Sequence, residues 1–351
     1  MGEFPAGLPH RRGGDRRPPA RTASVPPRSR GTPRHYAALD LGTNNCRLLI
    51  ARPQGDGFAV VDAFSRIVRL GEGLATTGRL SDAAIERTIA ALRVCAEKLK
   101  RRNVTLARSV ATEACRRASN GQAFMERVLA ETGIHLDIIS AEEEARLAVL
   151  GCHVLLEPGD GPALVFDIGG GSTELVLIDT ATPVPTVRDW HSAPWGVVSL
   201  TESVGGVVGD DAARAAIYGR MRALVADSFA PFAARLPRFP ARPDTPPRLL
   251  GTSGTVTTLA SVHLGLERYD RAQVDGLIAP AAAMRRISQD LAGLSLPDRA
   301  ALPCIGRERA DLVVAGCAIL EGILDLWPAE RLGVADRGIR EGILRRLMET
   351  A

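Results

Sequence analysis

Two segments of the chain carry residue types suited to gripping phosphate. Asp40-Leu41-Gly42-Thr43-Asn44-Asn45 and Asp167-Ile168-Gly169-Gly170-Gly171-Ser172-Thr173 each follow an apolar run and lead into another. Glycine in such a turn lets successive backbone N–H groups approach an anion closely and form a concave nest. The Thr, Asn and Ser side chains add donors. A carboxylate ending the strand, Asp40 or Asp167, does not attract phosphate but can hold a divalent cation or orient water. Two such hairpins facing each other would hold a phosphate chain from both sides. A third glycine turn, Gly251-Thr252-Ser253-Gly254-Thr255, follows Leu249-Leu250 and opens a helical pattern, and helix starts favour phosphate.

The elements that must position these residues alternate between strand and helix. Tyr36–Leu41, Arg47–Ala51 and Phe58–Ile67 read as strands, followed by a helix with Ser81 as cap and an apolar face at Ile85, Ile89, Leu92, Cys95 and Leu99. A strand is expected over 106–112, a helix over 122–131 closed by Gly133, and a strand over 134–139. Ser140-Ala141-Glu142-Glu143 reads as a capping box, which puts Glu144 in the first turn of the next helix. Strands follow at 163–167, 175–178, 249–250 and 332–334, and helices at 256–264, 281–293, 308–326 and 338–349. The alternation predicts an α/β protein.

Composition narrows the function classes. The 351 residues carry a net charge of +4, but residues 1–34 hold eight Arg against Glu3 and Asp15, leaving the rest at −2. The body therefore lacks the charge of a DNA-binding domain. Residues 1–34, with seven Pro and few apolar groups, read as a solvated basic tail. The apolar run Leu312–Leu320 is too short to span a bilayer. Six cysteines without a C-x-x-C pair suggest reduced thiols and a cytoplasmic protein.

Taken together, the motifs resemble the actin/Hsp70/sugar-kinase superfamily, and within it the Ppx/GppA family of exopolyphosphatases and guanosine pentaphosphate phosphatases. The resemblance rests on the two hairpins, on Val110-Ala111-Thr112 running to Arg116 and Asn120, and on Glu143-Glu144-Ala145-Arg146-Leu147. Gly251–Thr255, Arg309-Ala310-Asp311 and Gly338-Ile339-Arg340-Glu341-Gly342 complete it. It implies two actin-like (ribonuclease H-like) α/β domains flanking a phosphate cleft, at 35–142 and 143–335. Residues 336–351 would form a helix packing back on the first domain.

The same resemblance implies removal of a terminal phosphate from polyphosphate, or from guanosine pentaphosphate, by water with Mg²⁺. Glu144 is then the general base. Asp167 and Glu174 handle metal and phosphate beside it, with Asp40 a third metal carboxylate. The phosphate contacts fall to Asp40, Gly42, Thr43, Asn44 and Asn45; to Arg116; to Gly169, Gly170, Gly171, Ser172 and Thr173; and to Gly251, Ser253, Gly254 and Thr255. A homodimer is implied too. A small-molecule kinase and a nucleotide-binding switch remain as alternatives of the same superfamily. Three features depart from the family's pattern. Thr43-Asn44-Asn45 stands where Ser-Asn-Ser or Ser-Asn-Thr is usual, Cys46-Arg47 where an apolar residue often leads, and Ala141 where Gly is common. Longer members add a C-terminal helical domain; its absence here points to shorter chains or nucleotides as substrates.

Overall fold

The structure is a computed structural model that describes residues 34–159, 161–182, 184–236 and 247–350. The expected tail, Arg34 apart, lies outside the described residues. Two sheets organise the rest. The first comprises β1 (His35–Leu41), β2 (Asn45–Gln54), β3 (Gly57–Ile67), β4 (Val104–Ala111) and β5 (Asp137–Ile138), in the order β3-β2-β1-β4-β5. The second comprises β6 (Pro162–Ile168), β7 (Thr173–Asp179), β8 (Thr186–Ala193), β9 (Arg248–Thr252), β10 (Ile278–Pro280) and β11 (Arg331–Ala335), in the order β10-β11-β9-β6-β7-β8.

The two sheets repeat one plan. In each, the first three strands pair antiparallel as a meander. The first strand then pairs parallel with the fourth, and parallel pairing continues outward. This duplicated five-strand order is the actin-like fold. β1 and β6 are central and buried on both faces, which is why they read as unbroken apolar runs.

Each sheet builds its own core. The first packs Leu39, Leu41, Leu48 and Ile50 against Ile85, Ile89 and Leu92 of helix Asp82–Arg101 and Phe124 of helix Gly121–Thr132. The second packs Leu164, Phe166 and Leu177 against helices Asp211–Ala233, Gly254–His263, Ala281–Gly293 and Val313–Leu326. Among the described residues no helix is long and apolar enough to cross a membrane.

Helix Ala141–Cys152 joins the halves. Leu147 and Ala148 face Ala38, Leu49 and Val110 of the first sheet. Ala145, Val149 and Cys152 face Val165 and Val176 of the second. Helix Ile339–Glu349 lies beside it and covers Tyr36, Ala38 and Leu49 with Ile339, Ile343 and Leu344. Each such buried Leu, Ile or Val contributes about 1.5–3 kcal/mol, against ~0–1 kcal/mol for an exposed ion pair, so apolar packing dominates this junction.

Several elements differ from the sequence expectation. The strand expected over 134–139 pairs only at Asp137–Ile138, because Ile134 and Leu136 turn into the core instead. The helix expected from 308 begins at Val313. β8 and helix Asp211–Ala233 were not foreseen: β8 mixes charged residues along its length, and the helix is Ala-rich without a clear apolar stripe. The capping box closes on one side only. Ser140 Oγ accepts from Glu143 N at 3.1 Å, while the Glu143 carboxylate bonds Arg108 at 2.7 Å.

The two junction helices touch backbone to backbone. A Cβ on Gly342 would collide with the Leu147 carbonyl, and one on Gly151 with the Gly338 carbonyl. Gly219, in helix Asp211–Ala233, has open space around it. Gly342→Ala is expected to cost about 2 kcal/mol through overpacking, whereas Gly219→Ala is expected to be neutral or stabilising by up to ~1 kcal/mol. Thermal unfolding of both variants beside the parent checks the contrast.

Candidate active site

The duplicated strands deliver equivalent positions to one place. Asp40 stands opposite Arg47 in the β1–β2 ladder, and Asp167 stands opposite Glu174 in β6–β7. The two hairpins thus match in register but differ in the charge of the second partner. Asp40, Arg47 and Asp167 border a cavity of about 140 Å³. Gly42, Thr43, Asn44, Asn45, Gly169, Gly170, Gly171, Ser172, Ser253, Gly254, Thr255 and Glu144 border it too.

Both turns close alike. Gly42 N donates to Asn45 O at 2.9 Å, and Gly169 N to Ser172 O at 3.0 Å. Their other carbonyls are occupied from behind. Val68 N and Arg69 N donate to Asn44 O, Gly71 N to Thr43 O, Val197 N to Gly169 O and Val198 N to Gly170 O. Ser199 Oγ donates to Gly171 O, and Ser253 Oγ to Ile168 O. Internal bonding removes acceptors that would repel an anion. The turns also meet each other: a Cβ on Gly170 would lie 2.9 Å from Thr43 Cβ, and one on Gly171 2.6 Å from Thr43 Oγ1. Only glycine permits that approach.

Four helices begin at the cavity. Glu144 lies in the first turn of Ala141–Cys152, Gly254 starts Gly254–His263, Val313 starts Val313–Leu326 and Ile339 starts Ile339–Glu349. Helix N-termini carry partial positive charge, so their convergence favours a bound anion. Ser253, capping the second of these helices, has φ 84°, a left-handed conformation that costs a non-glycine residue about 1–3 kcal/mol. That strain sits at the cavity wall.

Glu144 and Glu174 are buried, Asp40 and Asp167 are half-buried, and the carboxylates repel one another. Burial pushes Asp167 up to about 6; the Asp40 charge adds to this, while Arg47 and the Ser253 hydroxyl oppose it. Burial pushes Glu174 up to about 7, with Asp167 adding to it. Ser172 and Ser192 hydroxyls donate to Glu174 Oε1 at 2.8 and 2.9 Å. Burial and then Glu174 raise Glu144 well above the usual carboxylate range, against the pull of Arg116. Asp40 is raised by burial, with Arg47 and Arg340 opposing.

Not every residue expected from the sequence reaches the cavity. Arg116 does not border it. Its guanidinium donates to Glu144 at 2.9 Å, Glu113 at 2.8 Å and the Ile139 carbonyl at 2.7 Å, so it is committed to protein partners. Thr173 donates to Trp195 O at 2.7 Å, and the space beside Gly251 is filled by the Phe166 ring; both lie behind the cavity. The Asp40, Asp167 and Glu174 set is not assembled as a three-carboxylate metal site. Among the described residues no group of three or more His, Cys, Asp or Glu side chains is placed to hold a metal ion. Glu174 lies behind the wall, held by its two serines.

Sequence reading passed over two cations. Arg47 borders the cavity with no hydrogen-bond or ion-pair partner among the described residues, and Arg309 borders it with Nη1 donating to Thr258 Oγ1 at 3.0 Å. Arg47 drew notice only as a departure from a pattern, and Arg309 only as part of a motif. The signal for Arg47 was its register opposite Asp40, visible once the strands are paired.

Comparison with known proteins places the chain in a family and supports the fold. Residues 49–351 match the Ppx/GppA phosphatase family. The chain belongs to that family. It is 33% identical over 321 residues to "Exopolyphosphatase 2" of Mycobacterium tuberculosis, covering 88% of this chain and 96% of that protein. It is 30% identical over 323 residues to the "Guanosine-5'-triphosphate,3'-diphosphate pyrophosphatase" of Aeromonas salmonicida, covering 89% and 59%. Among solved structures, the Aquifex aeolicus Ppx/GppA family member aligns with TM-score 0.72 at 29% identity, covering 90% of this chain and 98% of that one. A Cytophaga hutchinsonii exopolyphosphatase shares the fold with TM-score 0.78 at 23% identity, covering 91% and 99%.

The buried acids of this Ppx/GppA protein have a thermodynamic consequence. Asp167 and Glu174 titrate near 6 and 7 when folded, against about 4 when unfolded. Between those values the native state holds protons that the unfolded chain has released. Stability therefore falls as pH rises from about 4 to 7. Asp62, held low by Lys98 and Arg102, acts below this interval. Glu174→Gln is expected to flatten the fall by on the order of 2 kcal/mol, read from urea unfolding at pH 4.5 and 7.5.

Proposed function

We propose that the protein is an exopolyphosphatase, releasing terminal orthophosphate from inorganic polyphosphate by attack of water, with Glu144 as general base. One observation carries the reading. A buried glutamate borders a small cavity whose other walls are two phosphate-type turns, two cavity-facing arginines and helix N-termini.

The chain's own residues divide the work. Glu144 takes a proton from water as the water oxygen bonds the terminal phosphorus. The bridging P–O bond breaks, and its electron pair leaves on the shortened chain. Arg47, Arg309 and the turn donors receive charge on the phosphate oxygens. Arg116 orients Glu144 and opposes the rise that burial causes. The donor set is all oxygen. Asp40 and Asp167 face one cavity and repel each other, an arrangement suited to a hard cation completed by substrate oxygens. Those two residues would hold Mg²⁺, which supplies charge neutralisation at the phosphate.

A second reading is a guanosine pentaphosphate 5′-phosphohydrolase. The same cavity would take that terminal phosphate, and the Aeromonas salmonicida relative bears such a name. Phosphate release with Mg²⁺ from long polyphosphate, tripolyphosphate and guanosine pentaphosphate, side by side, separates the two. Release from polyphosphate is expected, and release from the nucleotide alone would establish the second reading. Glu144→Gln is expected to lower kcat at least ~100-fold with KM within about threefold. Undiminished turnover in that variant would remove Glu144 from the chemistry. Chelation should abolish release, and added Mg²⁺ should restore it.

A further inference from the structure

A clasp crosses the cleft beside the cavity. Arg69 reaches from the first half to Asp311 in the second, with Nη1 to Oδ2 at 2.9 Å and Nη2 to Oδ1 at 3.2 Å. Nη2 also donates to the Glu308 carbonyl at 3.3 Å. This is a two-pronged fork, the geometry that arginine alone provides and that lysine cannot copy.

Both ends of the clasp are rooted in the cavity wall. Arg69 N donates to Asn44 O at 3.0 Å, so its backbone is part of the support behind the first phosphate turn. Its φ of 47° is left-handed, a conformation that only surrounding structure maintains in a residue of this size. Arg87 adds to that support, donating to the Val68 and Arg69 carbonyls at 3.1 and 3.4 Å. Asp311 sits two residues after Arg309, which borders the cavity, and Leu312 N and Val313 N both close on Arg309 O. The residues between 308 and 312, expected as helix, are instead turns that present Glu308 O and Asp311 to the fork. A second tie lies on the same segment: Gly73 N donates to Glu202 Oε1 at 2.8 Å across the halves.

We propose that Arg69 and Asp311 are positioning residues that fix Arg309 against the first phosphate turn, so that the grip on a phosphate chain forms only when the clasp is made. The proposal rests on the reading of the cavity as a phosphate-chain site. The fork is partly exposed, with a third of each side chain open to water. It can therefore break and re-form without unfolding the apolar junction between helices Ala141–Cys152 and Ile339–Glu349. Closure on substrate is then a matter of remaking one fork and one backbone bond.

The test is a double-mutant cycle on the full chain: Arg69→Ala, Asp311→Ala and both together, with Asp311→Asn as a shape-preserving variant. Circular dichroism establishes that each folds. Each single variant is expected to raise KM for polyphosphate about tenfold while kcat changes less than threefold. The double variant is expected to be no worse than the worse single one, because the pair acts as a unit. Arg69→Lys should lie nearer Arg69→Ala than the parent. KM values that stay at the parent level, or effects that multiply in the double variant, would overturn the clasp. Small-angle scattering of the substrate-free proteins reads the same cycle without turnover. The singles and the double should share one larger radius of gyration. If the parent hydrolyses no polyphosphate, the functional reading falls, and scattering still decides the clasp: unchanged dimensions would overturn it.

Discussion

The governing constraint is electrostatic. Glu144 and Glu174 are buried, and Asp40 and Asp167 half-buried, within one small region, where the four carboxylates repel one another. Burying a charge without compensation is prohibitive. The fold answers with positive charge: four converging helix starts, and the guanidinium groups of Arg47 and Arg309 at the cavity. It also answers with hydroxyls from Ser172, Ser192 and Ser253 aimed at carboxylates or carbonyls. The architecture of both halves can be read as a means of bringing these donors to one point.

Duplication explains how the donors come to be paired. One hairpin offers aspartate and arginine in register, the other aspartate and glutamate. A single strand–turn–strand template thus serves two purposes. The first copy sets Asp40 and Arg47 at the cavity; the second sets Asp167 there and leaves Glu174 behind the wall. The glycines of the second turn, pressed against Thr43 and Asn44, let the copies approach within van der Waals distance.

Much of this was legible in the residues. The repeated strand–Asp–Gly pattern located both turns, and the strand–helix alternation fixed the fold class, because local spacing determines both. Glu144 was placed in a first helical turn by Ser140, which does cap that helix. Tertiary outcomes were not legible. Arg116 was read as a phosphate ligand because spacing cannot reveal that Glu113 and Glu144 occupy it. Glu174 was grouped with the metal carboxylates because register puts it beside Asp167, yet two serines hold it behind the wall. β8 and helix Asp211–Ala233 escaped notice because neighbours, not an amphipathic pattern, make them regular.

The junction helices also set an order of assembly. Tyr36, Ala38 and Leu49 of the first sheet are covered by Ile343 and Leu344, almost three hundred residues later in the chain. Synthesis proceeds at about 5–20 residues per second, so this face lacks its final cover for roughly 15–60 s after its strands emerge, with only Leu147 and Ala148 of the earlier junction helix available to it. The first half can form its meander and its own helical core in that interval, but it cannot finish. Its last layer arrives only after the second half has been made, so the sheet face is completed last, by the end of the chain.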